Sequence, residues 1–237
     1  MIELARYESD GTVGTIVIDD GKVNVFSIPM LRVIHELLDR AEAEGVVVVL
    51  TGREGSFSAG FDLKALAGGA EEVVEILTLG ATLAERVLAF PRPVLVACTG
   101  HAYPAGAFLL LAADLRIGAD GPFRIGLNEV RIGLTLPWFA IELARHRLHP
   151  AHFDRTVVNA AMYSPTEAVL PGFLDRVVPA AELRAVALEA AHDLAGLDRR
   201  AHAATKRRAR AGAITALRSA IESELTVEVF TAASGSS

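Results

Sequence analysis

The sequence is poor in cysteine: Cys98 is the one thiol among 237 residues, which excludes a small domain held together by disulfides. This cysteine ends the apolar run 94–98, so we expect a buried core residue in a reducing compartment rather than a nucleophile. The sequence also lacks any apolar run of the roughly 18 to 20 residues that cross a bilayer. Its N-terminal residues do not follow the pattern of a secretory signal. We therefore expect a cytoplasmic protein without a membrane partner.

Basic side chains are outnumbered, with 23 Lys and Arg against 29 Asp and Glu and a formal net charge of −6. Because nucleic-acid-binding surfaces are basic, we expect no nucleic-acid partner. A local basic cluster formed by Lys206, Arg207, Arg208 and Arg210 is interpreted as a solvated helix face. Hydrophobic residues make up 51% of the chain, which is enough for the core of one large domain.

Alternating strand and helix patterns predict an α/β fold. The β-branched segment 14–18 follows a turn and predicts an opening antiparallel hairpin. The continuous apolar runs 46–50 and 94–98 predict strands that are buried on both faces of a sheet. Helical spacing of apolar residues begins at Ser27 and recurs over 71–89. This order is typical of β-α-β winding.

The C-terminal part of the chain has a helical composition. We predict a core over residues 1–178, a helical region over 179–231 and a disordered, small and polar tail over 232–237. One apolar helical stripe consists of Leu217, Ile221, Leu225 and Val229. Because such a stripe needs an apolar partner surface, we expect the helical region to pack against neighbouring subunits.

Several familiar catalytic arrangements do not fit the sequence. The segment 56–60 has Ser56 in place of the first glycine of a serine-hydrolase elbow. A second histidine is missing after His35-Glu36, and Pro150 interrupts the later histidines, so we expect no metal site. The segment 52–55 matches neither phosphate-binding glycine motif.

Two glycine-containing loops remain, at 57–63 and 100–107, and each follows a buried strand. Free backbone amides at such turns are fixed dipoles, and two that converge can stabilise a developing oxyanion. A third segment, 126–133, carries Glu129 within a largely apolar stretch. A carboxylate in such surroundings is a candidate for proton transfer.

In order and spacing, these segments resemble the crotonase, or enoyl-CoA hydratase/isomerase, superfamily over nearly the whole chain. The matching segments are 23–26, 57–63, 92–94, 100–114, 129–133, 163–168, Gly172 and 177–179. The resemblance implies a crotonase-like spiral of ββα units with a C-terminal helical oligomerisation region. It also implies an acyl-CoA thioester substrate and an assembly of homotrimers or dimers of trimers. Coenzyme A is part of that substrate, so no separate cofactor is expected.

The resemblance also assigns roles within the site. The amides of Phe61 and Ala105 are expected to bind the thioester oxygen, and Glu129 to transfer protons. Further substrate contacts are expected from Ala59, Gly60, Asp62, Leu63, Gly106, Phe108, Trp138 and Lys206. For Lys206, a contact with a CoA phosphate and a solvated position on a helix are equally good interpretations.

One departure from the family pattern bears on the reaction. Hydratases of this superfamily have a first glutamate at the position of Phe108, so only Glu129 remains here. The Pro104-Ala105-Gly106 form most resembles the Δ3,Δ2-enoyl-CoA isomerases of mitochondrial type, which use one glutamate as a proton shuttle. Two alternatives stay open: an enoyl-CoA hydratase that uses Glu129 alone, and a weakly active acyl-CoA-binding protein.

Overall fold

The computed structural model describes residues 4–234, and the side chains of residues 4–231. Its strands are β1 (Ala5–Ser9), β2 (Val13–Ile18), β3 (Val25–Phe26), β4 (Val47–Thr51), β5 (Gly55–Ser58), β6 (Gly60–Phe61), β7 (Val94–Cys98), β8 (Gly100–Ala102), β9 (Leu115–Ala119), β10 (Ile125–Gly126), β11 (Met162–Tyr163) and β12 (Arg176–Val178). Its α-helices are α1 (Ile28–Glu44), α2 (Leu63–Leu66), α3 (Ala70–Ala89), α4 (Pro104–Ala112), α5 (Trp138–Arg147), α6 (Phe153–Val157), α7 (Leu183–Ala195), α8 (Arg199–Ala209), α9 (Ala211–Glu224) and α10 (Val227–Ser234). Short 3-10 turns lie at Val130–Ile132, Pro150–His152, Glu167–Val169 and Ala180–Glu182.

The strands wind as a spiral of ββα turns. A six-stranded sheet has the order β1-β2-β4-β7-β9-β12, and a four-stranded sheet has the order β11-β10-β8-β5. Each of β4, β7 and β9 lies in the first sheet and is followed by a strand of the second. Strands β1 and β2 pair antiparallel, which confirms the predicted hairpin, and the remaining pairs of the first sheet are parallel.

The six-stranded sheet is covered on both faces. Along β4, Val48 and Leu50 belong to the main core, whereas Val47 and Val49 face a second core that α7 covers. Strand β7 alternates in the same way and ends at Cys98, whose burial raises the pKa of its thiol to about 12. The continuous apolar runs therefore do mark doubly buried strands, and the cysteine is a core residue.

Helix α1 follows its sequence signals. The Ser27 side chain accepts a hydrogen bond from the Met30 amide at the helix start, an arrangement that contributes about 1 kcal/mol. Gly45 ends the helix with φ at 68°, and its amide donates to the carbonyls of Ala41 and Glu42. Glycine suits this left-handed position because it has no Cβ.

The C-terminal helices pack against their own chain. Leu217 and Leu225 are buried and Ile221 is half-buried in the main core. Helix α9 lies on α5 and α3. The apolar stripe therefore finds its partner surface largely within one subunit, so it does not by itself indicate a neighbouring subunit, and packing of the helical region against other subunits stays a prediction.

Two of the predicted boundaries, at residues 178 and 232, can be compared with the observed helices and strands. Strand β12 ends at residue 178, and the described chain beyond it is helical, while the division into a core and a helical region stays a prediction. The predicted disordered tail starts at residue 232, but α10 continues to Ser234. Residues 235–237 lie outside the described residues. Within the described part of the chain, none of the helices has both the length and the apolar character needed to span a membrane.

Candidate active site

A cavity of about 510 Å³ opens where the loops after β5, β8 and β10 meet the C-terminal helices. Its size is in the range of small-molecule binding pockets. Its lining residues are Ala59, Gly60, Phe61, Leu63, Leu66, Val73, Leu77, Pro104, Phe108, Asn128, Glu129, Ile132, Leu134, Thr135, Pro137, Glu224, Val229 and Phe230. The wall is mostly apolar, with a few polar groups concentrated around Glu129.

Glu129 lies just after β10, in a loop that hydrogen bonds hold in place. Its carbonyl accepts hydrogen bonds from the amides of Ile132 (3.0 Å) and Leu134 (2.9 Å). The neighbouring Arg131 donates through Nε to the carbonyl of Ala160 at 2.6 Å. These contacts fix the backbone from Glu129 to Leu134 and so hold the base of the carboxyl side chain in place.

The Glu129 side chain is 6% exposed and lines the cavity. Among the described residues, no group donates a hydrogen bond to its Oε2 atom. Burial raises the pKa of Glu129 from its ordinary value of 4.5 to about 8, because the charged form loses hydration, and a contact with its own backbone amide offsets this loss only in part. A carboxyl group of this kind exchanges protons near neutral pH, which is the property of a general acid and base.

The first glycine loop is tied down by Ser58. Its hydroxyl donates to the Asn24 carbonyl at 2.8 Å and accepts the Gly60 amide at 3.1 Å. Gly60 has φ at 96°, a conformation that side chains other than glycine rarely adopt. Phe61 then pairs with Phe26 in a two-stranded parallel sheet, so the backbone that carries the predicted amide donor is held in a fixed conformation.

The second glycine loop leads into α4. Tyr103 precedes this helix and provides no side-chain cap, and Pro104 has no amide hydrogen. The amide of Ala105 is therefore in the uncapped first turn of a helix, where amides are available to an anion. The Tyr103 amide donates to the Ser58 carbonyl at 3.0 Å, which joins the two loops at one edge of the cavity.

An aromatic wall stands beside Glu129. The ring of Phe108 packs on Phe61, with ring centroids 6.2 Å apart, and on Phe139 in an edge-to-face contact at 5.3 Å. A Cβ on Gly80 would lie 2.3 Å from the Phe61 ring, so this glycine of α3 makes room for the wall. The position at which the family resemblance implies a carboxylate in hydratases holds a buried aromatic ring here.

Most of the predicted site residues lie together. Six of them line the cavity: Ala59, Gly60, Phe61, Leu63, Phe108 and Glu129. Ala105 and Gly106 lie directly behind Pro104 in the first turn of α4. The side chain of Asp62 instead caps α2, where it accepts the Lys64 amide at 2.9 Å. A contact from Asp62 to substrate therefore stays a prediction for its backbone.

Trp138 does not line the cavity. Its side chain is 57% exposed, and the preceding Pro137 contributes to the cavity wall instead. The Trp138 amide, at the start of α5, donates a hydrogen bond to Glu224 at 2.7 Å. This exposed position gives no support to the predicted shielding of Glu129 by the indole, which stays a prediction.

Lys206 is a structural residue. Its side chain is 7% exposed, and its Nζ atom lies 2.6 Å from Asp114 and donates to the carbonyls of Val87 and Arg92. Burial lowers the pKa of Lys206 to about 8. The alternative of a solvated lysine was therefore wrong, whereas the CoA-phosphate contact stays a prediction that this buried, paired position does not support. Arg210 of the same basic cluster also pairs with Asp114, at 2.9 Å.

Several lining residues escaped sequence reasoning. Asn128 and Thr135 lie near Glu129 in sequence, and this nearness is the signal that could have identified them as cavity residues. Glu224, Val229 and Phe230 reach the cavity from the last two helices. Val229 was assigned to a stripe that contacts another subunit, and Glu224 had no recognised pattern around it.

Comparisons with known proteins place the chain in a family. The model of the Enoyl-CoA hydratase/isomerase family matches residues 8–236. The chain belongs to this family. A solved structure of an enoyl-CoA hydratase/isomerase family protein from Pseudomonas syringae has a TM-score of 0.92 and 44% identity, over 94% of this chain and 96% of that one. The predicted crotonase-like fold is thus confirmed.

Curated relatives of this family member carry different names, including isomerase, hydratase and carnitinyl-CoA dehydratase. The human "Enoyl-CoA delta isomerase 1, mitochondrial" is 29% identical over 79% of this chain. The chain spans 64% of the length of that protein. A "Putative enoyl-CoA hydratase" of Thermus thermophilus is 34% identical, over 71% of this chain and 69% of its own length. Hydratase and isomerase names both occur, so the names of the relatives do not distinguish between the two reactions.

Proposed function

We propose that this protein converts 3-enoyl-CoA to 2-enoyl-CoA, with Glu129 as the single proton-transferring group. The observation that supports this most is that one cavity is lined both by the buried Glu129, whose Oε2 atom accepts no hydrogen bond from the described residues, and by the Phe108 ring. Water addition in this family uses a second carboxylate at the position of Phe108. Double-bond migration needs only one carboxylate, because the same group can remove the proton from C2 and return it at C4.

The reaction proceeds in two proton transfers. The thioester oxygen accepts hydrogen bonds from the amides of Phe61 and Ala105, and the Glu129 carboxylate removes a C2 proton. The electron pair of that C–H bond moves toward the carbonyl and gives a dienolate, which the amides stabilise by roughly 2.7–4 kcal/mol per donor. Glu129 then returns the proton to C4 while the double bond forms between C2 and C3. Electrons and protons balance without a separate cofactor.

A hydratase that uses Glu129 alone is the second candidate. It is favoured by the hydratase names among the relatives and by two polar residues, Asn128 and Thr135, that line the cavity and have groups able to hold a water. A weakly active acyl-CoA-binding protein is the third candidate. The presence of a buried glutamate, Glu129, in the cavity wall counts against it.

Parallel assays separate these candidates. Purified protein is incubated with a 3-enoyl-CoA and with a 2-enoyl-CoA, and both double-bond migration and 3-hydroxyacyl-CoA are measured. We expect turnover of the 3-enoyl-CoA to exceed hydration by a wide margin. Rapid hydration of 2-enoyl-CoA with no turnover of 3-enoyl-CoA would instead favour the hydratase, and neither product would favour a binding protein.

Assembly and location stay proposals. We expect homotrimers or dimers of trimers, and light scattering at micromolar concentration checks this expectation against a monomer. The cytoplasmic location expected from the sequence is tested by fractionation of the source cells, since the human relative is named mitochondrial.

A further inference from the structure

A second carboxylate borders the cavity from the far end of the chain. Glu224 is the last residue of α9, lines the same cavity as Glu129 and accepts a hydrogen bond from the Trp138 amide at 2.7 Å. Trp138 is the first residue of α5, and Pro137 before it provides no side-chain cap. Glu224 therefore caps α5 from another helix, where a carboxylate is favoured by the helix dipole.

The segment after Glu224 connects this contact to the site. Beyond a short turn at Leu225 and Thr226, helix α10 returns over the cavity, and Val229 and Phe230 line it. Leu225 is buried in the main core. The path of α10 is therefore set at the junction that Glu224 fixes, one turn before the residues that cover the cavity.

A second contact holds α9 independently of this junction. Arg218, nearer the middle of α9, pairs with Glu85 of α3 at 2.7 Å. Leu217 is buried beside it in the main core. Loss of the Glu224 contact should therefore release the end of α9 and the start of α10 while the body of α9 stays docked.

We infer that Glu224 is a positioning residue for the proton transfer: by holding the α9–α10 junction against α5, it keeps α10 closed over the cavity and keeps water away from Glu129. The hydrogen bond, the shared cavity and the two lining residues of α10 support this inference. The expected change in kcat rests on the proposed isomerisation, whereas the expected change in the pKa of Glu129 does not.

Few charged groups border the cavity, so the pKa of Glu129 can be used to follow its exposure to water. Of the described residues that line the cavity, Glu129 and Glu224 are the titratable ones. Other charged side chains on the segments that line the cavity are exposed or bonded elsewhere: Asp62, Lys64, Glu71, Glu72, Glu75, Glu85, Arg86, Arg131, Arg218, Glu222 and Glu228. Burial also raises the pKa of Glu224, although the hydrogen bond from Trp138 opposes the shift. A change in the pKa of Glu129 therefore reports chiefly on its hydration.

Three variants test the inference. Glu224→Ala removes the contact, Glu224→Gln keeps an oxygen that accepts the Trp138 amide without a titrating carboxyl, and Glu222→Ala changes an exposed glutamate of the same helix. The ionisation of Glu129 is followed by infrared spectroscopy against pH, with its carboxyl band assigned by its loss in Glu129→Gln. The kcat and KM for 3-enoyl-CoA are measured in parallel, after circular dichroism shows that each variant is folded.

For Glu224→Ala we expect the pKa of Glu129 to fall by about one unit toward its ordinary value and kcat to fall about tenfold. Glu224→Gln and Glu222→Ala should match the unmodified protein in both measurements. An unchanged Glu129 pKa in Glu224→Ala would overturn the inference, even in a protein that does not isomerise 3-enoyl-CoA. A loss of activity in Glu224→Gln with the Glu129 pKa unchanged would also overturn it and assign proton transfer to Glu224 itself. A wild-type protein without isomerase activity would overturn the proposed function but not this result.

Discussion

The Phe108 ring packs against the Phe61 ring with centroids 6.2 Å apart and planes inclined by 54°. The backbone of Phe61 carries a proposed oxyanion donor, and the Phe108 side chain occupies the place of a hydratase carboxylate. One contact therefore links the group that stabilises the dienolate to the surface that excludes water. It also explains why Phe108 cannot be exchanged for a carboxylate without loss of packing.

Phe108→Glu tests that link. The variant places a carboxylate in an aromatic, fully buried position, where we expect a loss of several kcal/mol in the free energy of unfolding. In the folded fraction, the ratio of hydration to isomerisation should rise, because a second carboxylate can hold water. Denaturant unfolding and the two parallel enoyl-CoA assays measure these effects. Phe108→Leu is the control, and an equal rise in its hydration ratio would refute the role of the new carboxylate.

Glu129→Gln tests the proposed base. The amide keeps the shape of the side chain and removes its ability to take a proton, so isomerisation should fall by roughly 10²–10⁴-fold. Binding of a saturated acyl-CoA should change little, because the backbone amides and the apolar wall remain. Isothermal titration and steady-state kinetics give both quantities. A variant that kept most of its activity would show that another group transfers the proton.

The same substitution predicts a pH-dependent gain in stability. The pKa of Glu129 in the folded protein, about 8, lies above its ordinary value of 4.5. Between these values the unfolded chain is ionised while the folded protein holds its proton, so wild-type stability falls as pH rises through this window. The loss is on the order of a few kcal/mol. Thermal unfolding should therefore show Glu129→Gln close to wild type at pH 4 and more stable at pH 9. A constant difference in Tm across this range would contradict the raised pKa.

Local signals predicted the framework of the site well. The apolar runs 46–50 and 94–98 had to be buried on both faces, and Ser27 and Gly45 set the ends of α1 through their own backbone contacts. Glu129 was conspicuous as a charge in an apolar stretch. For α1 the deciding contacts lie within a few residues of Ser27 and Gly45, whereas the apolar runs indicate burial by their composition alone, whichever element covers them.

The features that escaped prediction depend on distant partners. Lys206 can be buried because it forms an ion pair with Asp114, which lies 92 positions away in sequence. Glu224 meets Trp138 across 86 positions, and neither residue type indicates the contact. For Trp138, the family resemblance suggested an apolar wall, but the exposure of a side chain at a helix start depends on how α5 packs on α9.

Ala105→Pro tests the second oxyanion donor. Proline removes the amide hydrogen in the first turn of α4, a position where its ring is tolerated, so kcat should fall on the order of 10²-fold or more. Ala105→Gly keeps the amide and should stay within a few-fold of wild type. Steady-state kinetics on 3-enoyl-CoA measure the effect, after circular dichroism shows that both variants are folded. Full activity of a folded Ala105→Pro would show that this amide does not bind the thioester oxygen.

Lys206→Met separates a structural role from a ligand-binding role. The variant leaves the buried carboxylate of Asp114 with Arg210 as its remaining cationic partner at 2.9 Å. It also leaves the carbonyls of Val87 and Arg92 without the lysine donor. We expect the free energy of unfolding to fall by about 3 kcal/mol, near the lower end of the cost of breaking a buried ion pair. Denaturant titration measures this loss, and Arg207→Met, an exposed neighbour on α8, should change it little. Affinity for acyl-CoA at a temperature where the variant is folded should equal that of wild type. A several-fold loss of affinity without a loss of stability would instead return Lys206 to the CoA-binding site.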